Sequence, residues 1–237
     1  MKTTDSKRQR EPLVLVKYSV LFLFILLQIY LIFLKKHDTL DLDVYPNTTP
    51  TQLIYGRLTV GQTFFARSDN LCRVDIMMGT LDRQNDRDLV FELWEFGQTN
   101  EILRSTTVNT SRLLNNLYNS FTFKPVRKSK NREFAFILSS PTSWPENSVC
   151  AWMNHRNIYK RGSVLLNDAA GRGDLVFRVY SKRPISTELH RIVRNYPGIF
   201  GKTWFLILSI LLFEGASFLM LIKLLDLLIS SVRGNRI

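Results

Sequence analysis

Residues that usually carry chemistry are scarce in this chain. There are three histidines, His37, His155 and His190, and two cysteines, Cys72 and Cys150. No Cys/His spacing fits a zinc ligand set, so no metal site is expected. No nucleophile elbow, phosphate-binding loop, dinucleotide fingerprint or zincin motif occurs. Asp69, Asp75, Glu92 and Glu95 could act as acid and base on paper, but nothing in their spacing brings any two together. The expectation is a non-enzyme with no cofactor. Internal repeats and low-complexity tracts are also missing, and the middle of the chain is long enough for one single-core domain.

What the chain does have is two long apolar runs. Residues 13–34 read LVLVKYSVLFLFILLQIYLIFL, and residues 203–225 read TWFLILSILLFEGASFLMLIKLL. At ~1.5 Å per residue each can cross a hydrocarbon core of ~30 Å. The first is too long for a signal-peptide core and no small-x-small cleavage site follows it, so an uncleaved anchor is expected. Lys2, Lys7, Arg8, Arg10 and Lys17 flank its start, and Lys223, Arg233 and Arg236 flank the end of the second run. The positive-inside rule then places tails 1–12 and 226–237 in the cytoplasm, and the middle outside. The reading is a two-pass protein of the cytoplasmic (inner) membrane. In the spans, Glu214 stands beside Gly215, Ala216 and Ser217, while Gln28 interrupts the first run. An ionisable group there faces protein or water, and small neighbours admit another helix. Glu214 is therefore expected to serve packing or assembly. Gln28 is one candidate partner, although counting from the outer edge places it ~9 Å deep against ~16 Å for Glu214. Another integral membrane subunit is the other candidate.

The net charge is +12, spread along the chain apart from a cluster at Lys124, Arg127, Lys128, Lys130 and Arg132. In a translocated domain nucleic acid is not an expected partner. The cluster reads first as a solvated hairpin turn, with anionic glycan or lipid headgroups as the alternative. Cys72 and Cys150 both fall in the translocated part, where either a disulfide or two buried thiols is possible.

Residues 35–52 read as a polar linker broken by Pro46 and Pro50. From residue 53 the apolar period becomes alternating. Strands are expected at 54–60, 62–66, 72–78, 89–96, 102–108, 120–124, 133–139, 148–153 and 175–181, separated by Asn/Asp/Gly/Ser/Pro clusters. Short strands split by turns imply an all-β antiparallel sandwich over 53–182, flanked by two transmembrane helices. Within 183–202, Ser186-Thr187-Glu188 opens a helix that Pro197-Gly198 stops. Its Ile185, Leu189, Ile192, Val193 and Tyr196 share one face, with His190, Arg191 and Arg194 elsewhere. Such a helix either lies in the membrane interface or packs back onto the sandwich.

Aromatic side chains offer a ligand surface, because sugar rings stack on them. Trp144 lies in a loop with no obvious core to join, whereas Trp94 and Trp152 read more naturally as core. The glycan-binding candidates are Trp144, Asn147, Trp152, Asn154 and Arg156.

Gly61-Gln62-Thr63-Phe64-Phe65-Ala66 followed by Asp69-Asn70-Leu71 resembles the opening of a jelly-roll domain found in bacterial envelope membrane proteins beside surface-polysaccharide and glycosyltransferase machinery. Leu89-Val90-Phe91-Glu92-Leu93, Phe121-Thr122-Phe123-Lys124-Pro125-Val126 with Ser129-Lys130, and Phe134-Ala135-Phe136 leading to Ser139-Ser140-Pro141 follow in order. Gly173-Asp174-Leu175-Val176-Phe177-Arg178-Val179-Tyr180 closes it. The resemblance covers residues 53–182. It implies a jelly roll similar to carbohydrate-binding modules, in an accessory subunit of glycan synthesis or export, and it carries over no ligand residue. The competing expectation is a structural or sensory membrane protein without a glycan ligand.

Overall fold

The computed structural model describes residues 18–97 and 101–234. They divide into two compact units, the sandwich Asp38–Lys182 and a helical unit made of the described residues on either side of it.

The sandwich is mostly β, two antiparallel sheets packed on one core. Its strands are β1 (Lys36–Val44), β2 (Thr49–Pro50), β3 (Val60–Phe65), β4 (Leu71–Gly79), β5 (Asp88–Glu95), β6 (Ile102–Asn109), β7 (Leu117–Val126), β8 (Glu133–Ser139), β9 (Cys150–Asn154), β10 (Val164–Leu166), β11 (Ala169–Ala170), β12 (Asp174–Leu175) and β13 (Phe177–Pro184). One sheet runs β1-β13-β4-β9-β12, with β7 along the opposite edge of β4 and β2 on β9. The other runs β11-β10-β3-β8-β5-β6. Alternation explains the core. Phe91 on β5 stacks on Phe121 of β7 at 4.9 Å, and Phe136 on β8 meets Phe177 of β13 edge-on at 5.5 Å. Phe64, Phe91, Phe121, Phe134, Phe136 and Phe177 are fully buried, each contributing roughly 1.5–3 kcal/mol of transfer free energy. At the rim, Arg104 of β6 donates to the carbonyls of Lys124 (2.7 Å) and Pro125 (3.4 Å) on β7 and so ties the two sheet edges together.

Two expectations are corrected and one open alternative is settled. Residues 35–52 contain β1 and β2 as well as connecting chain. Leu42 and Val44 enter the core, and Asp41 accepts from the Arg67 amide (2.9 Å) and the Ser68 hydroxyl (2.8 Å). On the outer face Asp38 pairs with Arg73 (3.3 Å) and Asp43 with Arg178 (3.2 Å), so acidic residues that read as linker bind a strand to its sheet. The strand expected at 54–60 does not form. A turn at Tyr55–Leu58, with Gly56 at φ +55°, leaves Ile54 as one isolated bridge to Val149. The two cysteines are free and buried. Cys150 pairs with Gly79 at the far end of β4 from Cys72, roughly 23 Å away at ~3.3 Å per residue, so a disulfide is out of reach.

The helical unit holds α1 (Tyr18–Leu34), α2 (Ile185–Val193) and α3 (Thr203–Gly234). Thr203–Leu224 of α3 spans 22 residues at mean hydropathy 2.4, long and apolar enough to cross a membrane. α1 as described is shorter than that, and residues 13–17 of the expected first span lie outside the described residues. One described helix therefore meets the length requirement where two were expected. Among the described helices α2 packs on α3 and on the last turn of α1, inside the helical unit.

Candidate functional site

A groove crosses the outer face of the six-stranded sheet, and strand register explains its shape. Directly opposed residues of an antiparallel pair point to the same side. Leu165 opposes Gly61, Gly61 opposes Ile137, and Ile137 opposes Glu92, so one outward row crosses β10, β3, β8 and β5. The next row places Thr63 and Ala135 beside Trp94. Gly61, Thr63 and Ala135 keep the floor low, and Ile137 adds one branched side chain to it. At Gly61 an added Cβ would lie 2.4 Å from the Phe136 carbonyl oxygen, so only glycine fits. Trp94 and Phe96 stand on one side, Leu165, Asp168 and Ala170 on the other. The open groove has a volume of about 610 Å³, within the ~300–1,000 Å³ of small-ligand sites.

The walls are held locally. Asn167 and Asp168, at φ +52° and +65°, make the two-residue turn between β10 and β11. Asn167 Oδ1 accepts from the Thr59 amide (3.0 Å) and from Gln52 Nε2 (2.8 Å), which fixes that wall to the chain before β3. On the other side Glu95 receives the Arg132 guanidinium through Nε (2.6 Å) and a second nitrogen, which pins the end of β5. Beyond the small floor, Arg161 lies over the Phe65 ring at 4.3 Å, next to Glu133. Burial pushes the Glu133 carboxyl up, with Arg161 opposing.

Trp94 Nε1 is buried and has no hydrogen-bond partner among the described residues. A desolvated N–H without an acceptor costs about 1–3 kcal/mol. The groove therefore offers a ring-sized apolar surface and the Asp168 carboxylate at its rim, while the Trp94 N–H is shut away from solvent. Among the described residues, no three His, Cys, Asp or Glu side chains group closely enough to hold a metal ion.

The five expected glycan residues are spread over three places. Trp144 is 42% exposed and precedes the short turn Pro145–Asn147, with the Arg87 guanidinium over its ring at 4.7 Å. Asn147 is buried, donating to Asp86 Oδ1 (2.6 Å) and accepting from the Asp86 amide (3.1 Å). Trp152 stands half-buried on β9, opposite in direction to Ala151 and Met153, and its Nε1 donates to Asn116 Oδ1 (2.9 Å). Asn154 is spent on the Pro46 carbonyl (2.8 Å) and the Arg156 amide (2.8 Å), while Arg156 itself is exposed. The groove was missed because Trp94 reads as core. The signal was parity: Leu89, Phe91 and Leu93 point inward, so Trp94 points out.

In the basic cluster, Arg132 is bound to Glu95, and Lys128 and Asn131 take positive φ in the turn between β7 and β8. The hairpin-turn reading accounts for it.

In the helical unit Phe24 of α1 stacks on Phe218 of α3 at 4.9 Å. Gln28 lies four residues after Phe24 on α1, and Glu214 four residues before Phe218 on α3. Both residues are half-buried, and Glu214 Oε2 is buried without a hydrogen-bond partner among the described residues. Among the described residues a side chain at Gly215 would meet nothing within 4 Å, and Ala216 and Ser217 are exposed, the Ser217 hydroxyl donating to the Phe213 carbonyl (2.8 Å). These small residues leave space beside α3.

No protein-family model and no curated protein sequence matches the chain.

Proposed function

We propose that the chain is a non-catalytic accessory subunit of an envelope glycan synthesis or export complex. A jelly-roll sandwich is held on the outer face of the cytoplasmic membrane by two helices, both tails lie inside, and the groove binds glycan. The observation that carries the reading is the groove itself, a trough of about 610 Å³ with Trp94 and Phe96 on one side and Leu165, Asp168 and Ala170 on the other. A sugar ring fits such a trough, its apolar C–H face on the aromatic and aliphatic walls and its hydroxyls toward the Asp168 carboxylate. The jelly-roll resemblance and the apolar α3 support the same reading. Glu214, with open space at Gly215, is where another integral membrane subunit would dock.

Titration of the full chain in mild detergent with fragments of envelope glycans tests this. Binding is expected in the millimolar range or tighter, weakened at least tenfold by Trp94→Ala and retained by Trp144→Ala. Loss through Trp144→Ala alone would move the site to that loop. No binding at millimolar glycan would favour the structural or sensory reading.

A further inference from the structure

The helical unit carries a second recognition surface at the end where α1 stops, α2 lies across and α3 begins. The last turn of α1 touches α2, and His190 Nδ1 on α2 lies 2.8 Å from Thr203 Oγ1 at the start of α3, so these segments share one layer. Six basic side chains belong to it: Lys35 and Lys36 after α1, Arg183, Arg191 and Arg194 on or beside α2, and Lys202 before α3. One carboxylate, Glu188, lies between residues 183 and 213. It is already held by Arg183 (3.1 Å) and Arg191 (2.6 Å). Lys35, Lys36, Arg191, Arg194 and Lys202 are all exposed. Large apolar side chains are exposed in the same layer, among them Ile192, Tyr196, Phe200 and Trp204.

We propose that this collar is a docking surface for anionic phospholipid, its cations on the headgroup phosphodiesters and its aromatic and aliphatic side chains at the acyl boundary. The proposal rests on the membrane reading of α3. Its position supports it: the lysines follow Leu34 and precede Thr203, at the level where an apolar helix leaves the hydrocarbon. Its composition supports it too. A helix with cations on one side and Ile and Tyr on the other lies in the interfacial plane, and anionic lipid strengthens that contact for each exposed cation. A zwitterionic surface would leave the excess positive charge without a counterpart.

The test uses the purified full chain in detergent with equal amounts of dioleoyl phosphatidylglycerol and dioleoyl phosphatidylcholine, and native mass spectrometry reads the retained lipid. Phosphatidylglycerol is expected in several-fold excess, falling toward parity as ionic strength rises. The triple variant Arg191→Gln/Arg194→Gln/Lys202→Gln should bring the two lipids to parity, and Glu188→Gln should increase the excess. Equal retention by the unaltered chain, or an excess unchanged in the triple variant, would overturn the proposal. So would displacement of phosphatidylglycerol by an equal concentration of a soluble uronic-acid oligosaccharide. Release of the chain from membranes by alkaline carbonate would instead overturn the membrane reading, a separate readout.

Discussion

At the scale of single residues, the two thiols show how burial sets chemistry. Cys72 is fully buried, its Sγ 3.6 Å from Asp38 Oδ1 and 3.5 Å from the Tyr180 carbonyl. Burial, reinforced by the Asp38 carboxylate, pushes the Cys72 thiol up to about 12. Cys150 is raised by burial as well. A raised folded-state value means that the folded chain holds the proton more tightly than the unfolded one. The Cys72 contribution is thus whole below pH ~9 and disappears between there and ~12, at up to about 1.4 kcal/mol per pH unit. Chemical denaturation of the detergent-solubilised chain at pH 8, 9, 10 and 11 should show stability falling over that window, with a shallower fall in Cys72→Ala. In the native state at pH 8 maleimide should modify neither thiol, and in denaturant both. Rapid native labelling of Cys72 would contradict the burial argument. The buried thiol at Cys72 was foreseeable, because it alternates with Val74, Ile76 and Met78. The separation of the two cysteines was not, because only the β4–β9 register shows it.

Among elements, β1 departs most from a reading by hydrophobic pattern. The core strands were legible: β8 coincides with its expected bounds at 133–139, and β4, β5 and β6 differ from theirs by a residue or two. β4, β5 and β8 each put three or more large apolar residues on one face, and β6 lends Leu103 and Val108 to the core. β1 buries Leu42 and Val44 and does the rest with charge, so its signal is ionic and its partners, Arg73 and Arg178, lie far along the chain. The groove wall at β10 and β11 escaped for a related reason, since three- and two-residue strands carry no measurable period and only the Asn167-Asp168 turn marks them. These considerations predict where the sandwich can be cut. A fragment spanning residues 38–182 should fold, whereas one starting at residue 53 loses Leu42, Val44 and the Asp41 bonds to Arg67 and Ser68 and exposes the edge of β13. Leu42→Ala alone should cost about 2–4 kcal/mol. Thermal melts of the two fragments decide it: equal midpoints would mean that β1 is an ornament on the sheet.

For the whole molecule, the decisive question is how Glu214 is accommodated. α3 is apolar along 22 residues and carries this one carboxyl near their middle. A charged side chain at the centre of a spanning helix opposes insertion by about 2.5–3.5 kcal/mol. If the residue existed only to pack α1 against α3, Glu214→Gln would preserve function, since an amide can bond Gln28 without a charge. Glu214→Leu would then be tolerated too, and would insert more readily. If the residue instead receives a donor from another membrane subunit, both variants insert normally but Glu214→Leu loses the partner. The expected outcome is the second. Carbonate extraction should leave both variants in the membrane, and a crosslinker attached at Ala216, which is exposed beside the carboxyl, should capture one defined integral protein from cells in the unaltered chain and in Glu214→Gln, and not in Glu214→Leu. Capture that is equal in all three would assign Glu214 to the helix pair alone, and the docking surface would have to be sought on the sandwich.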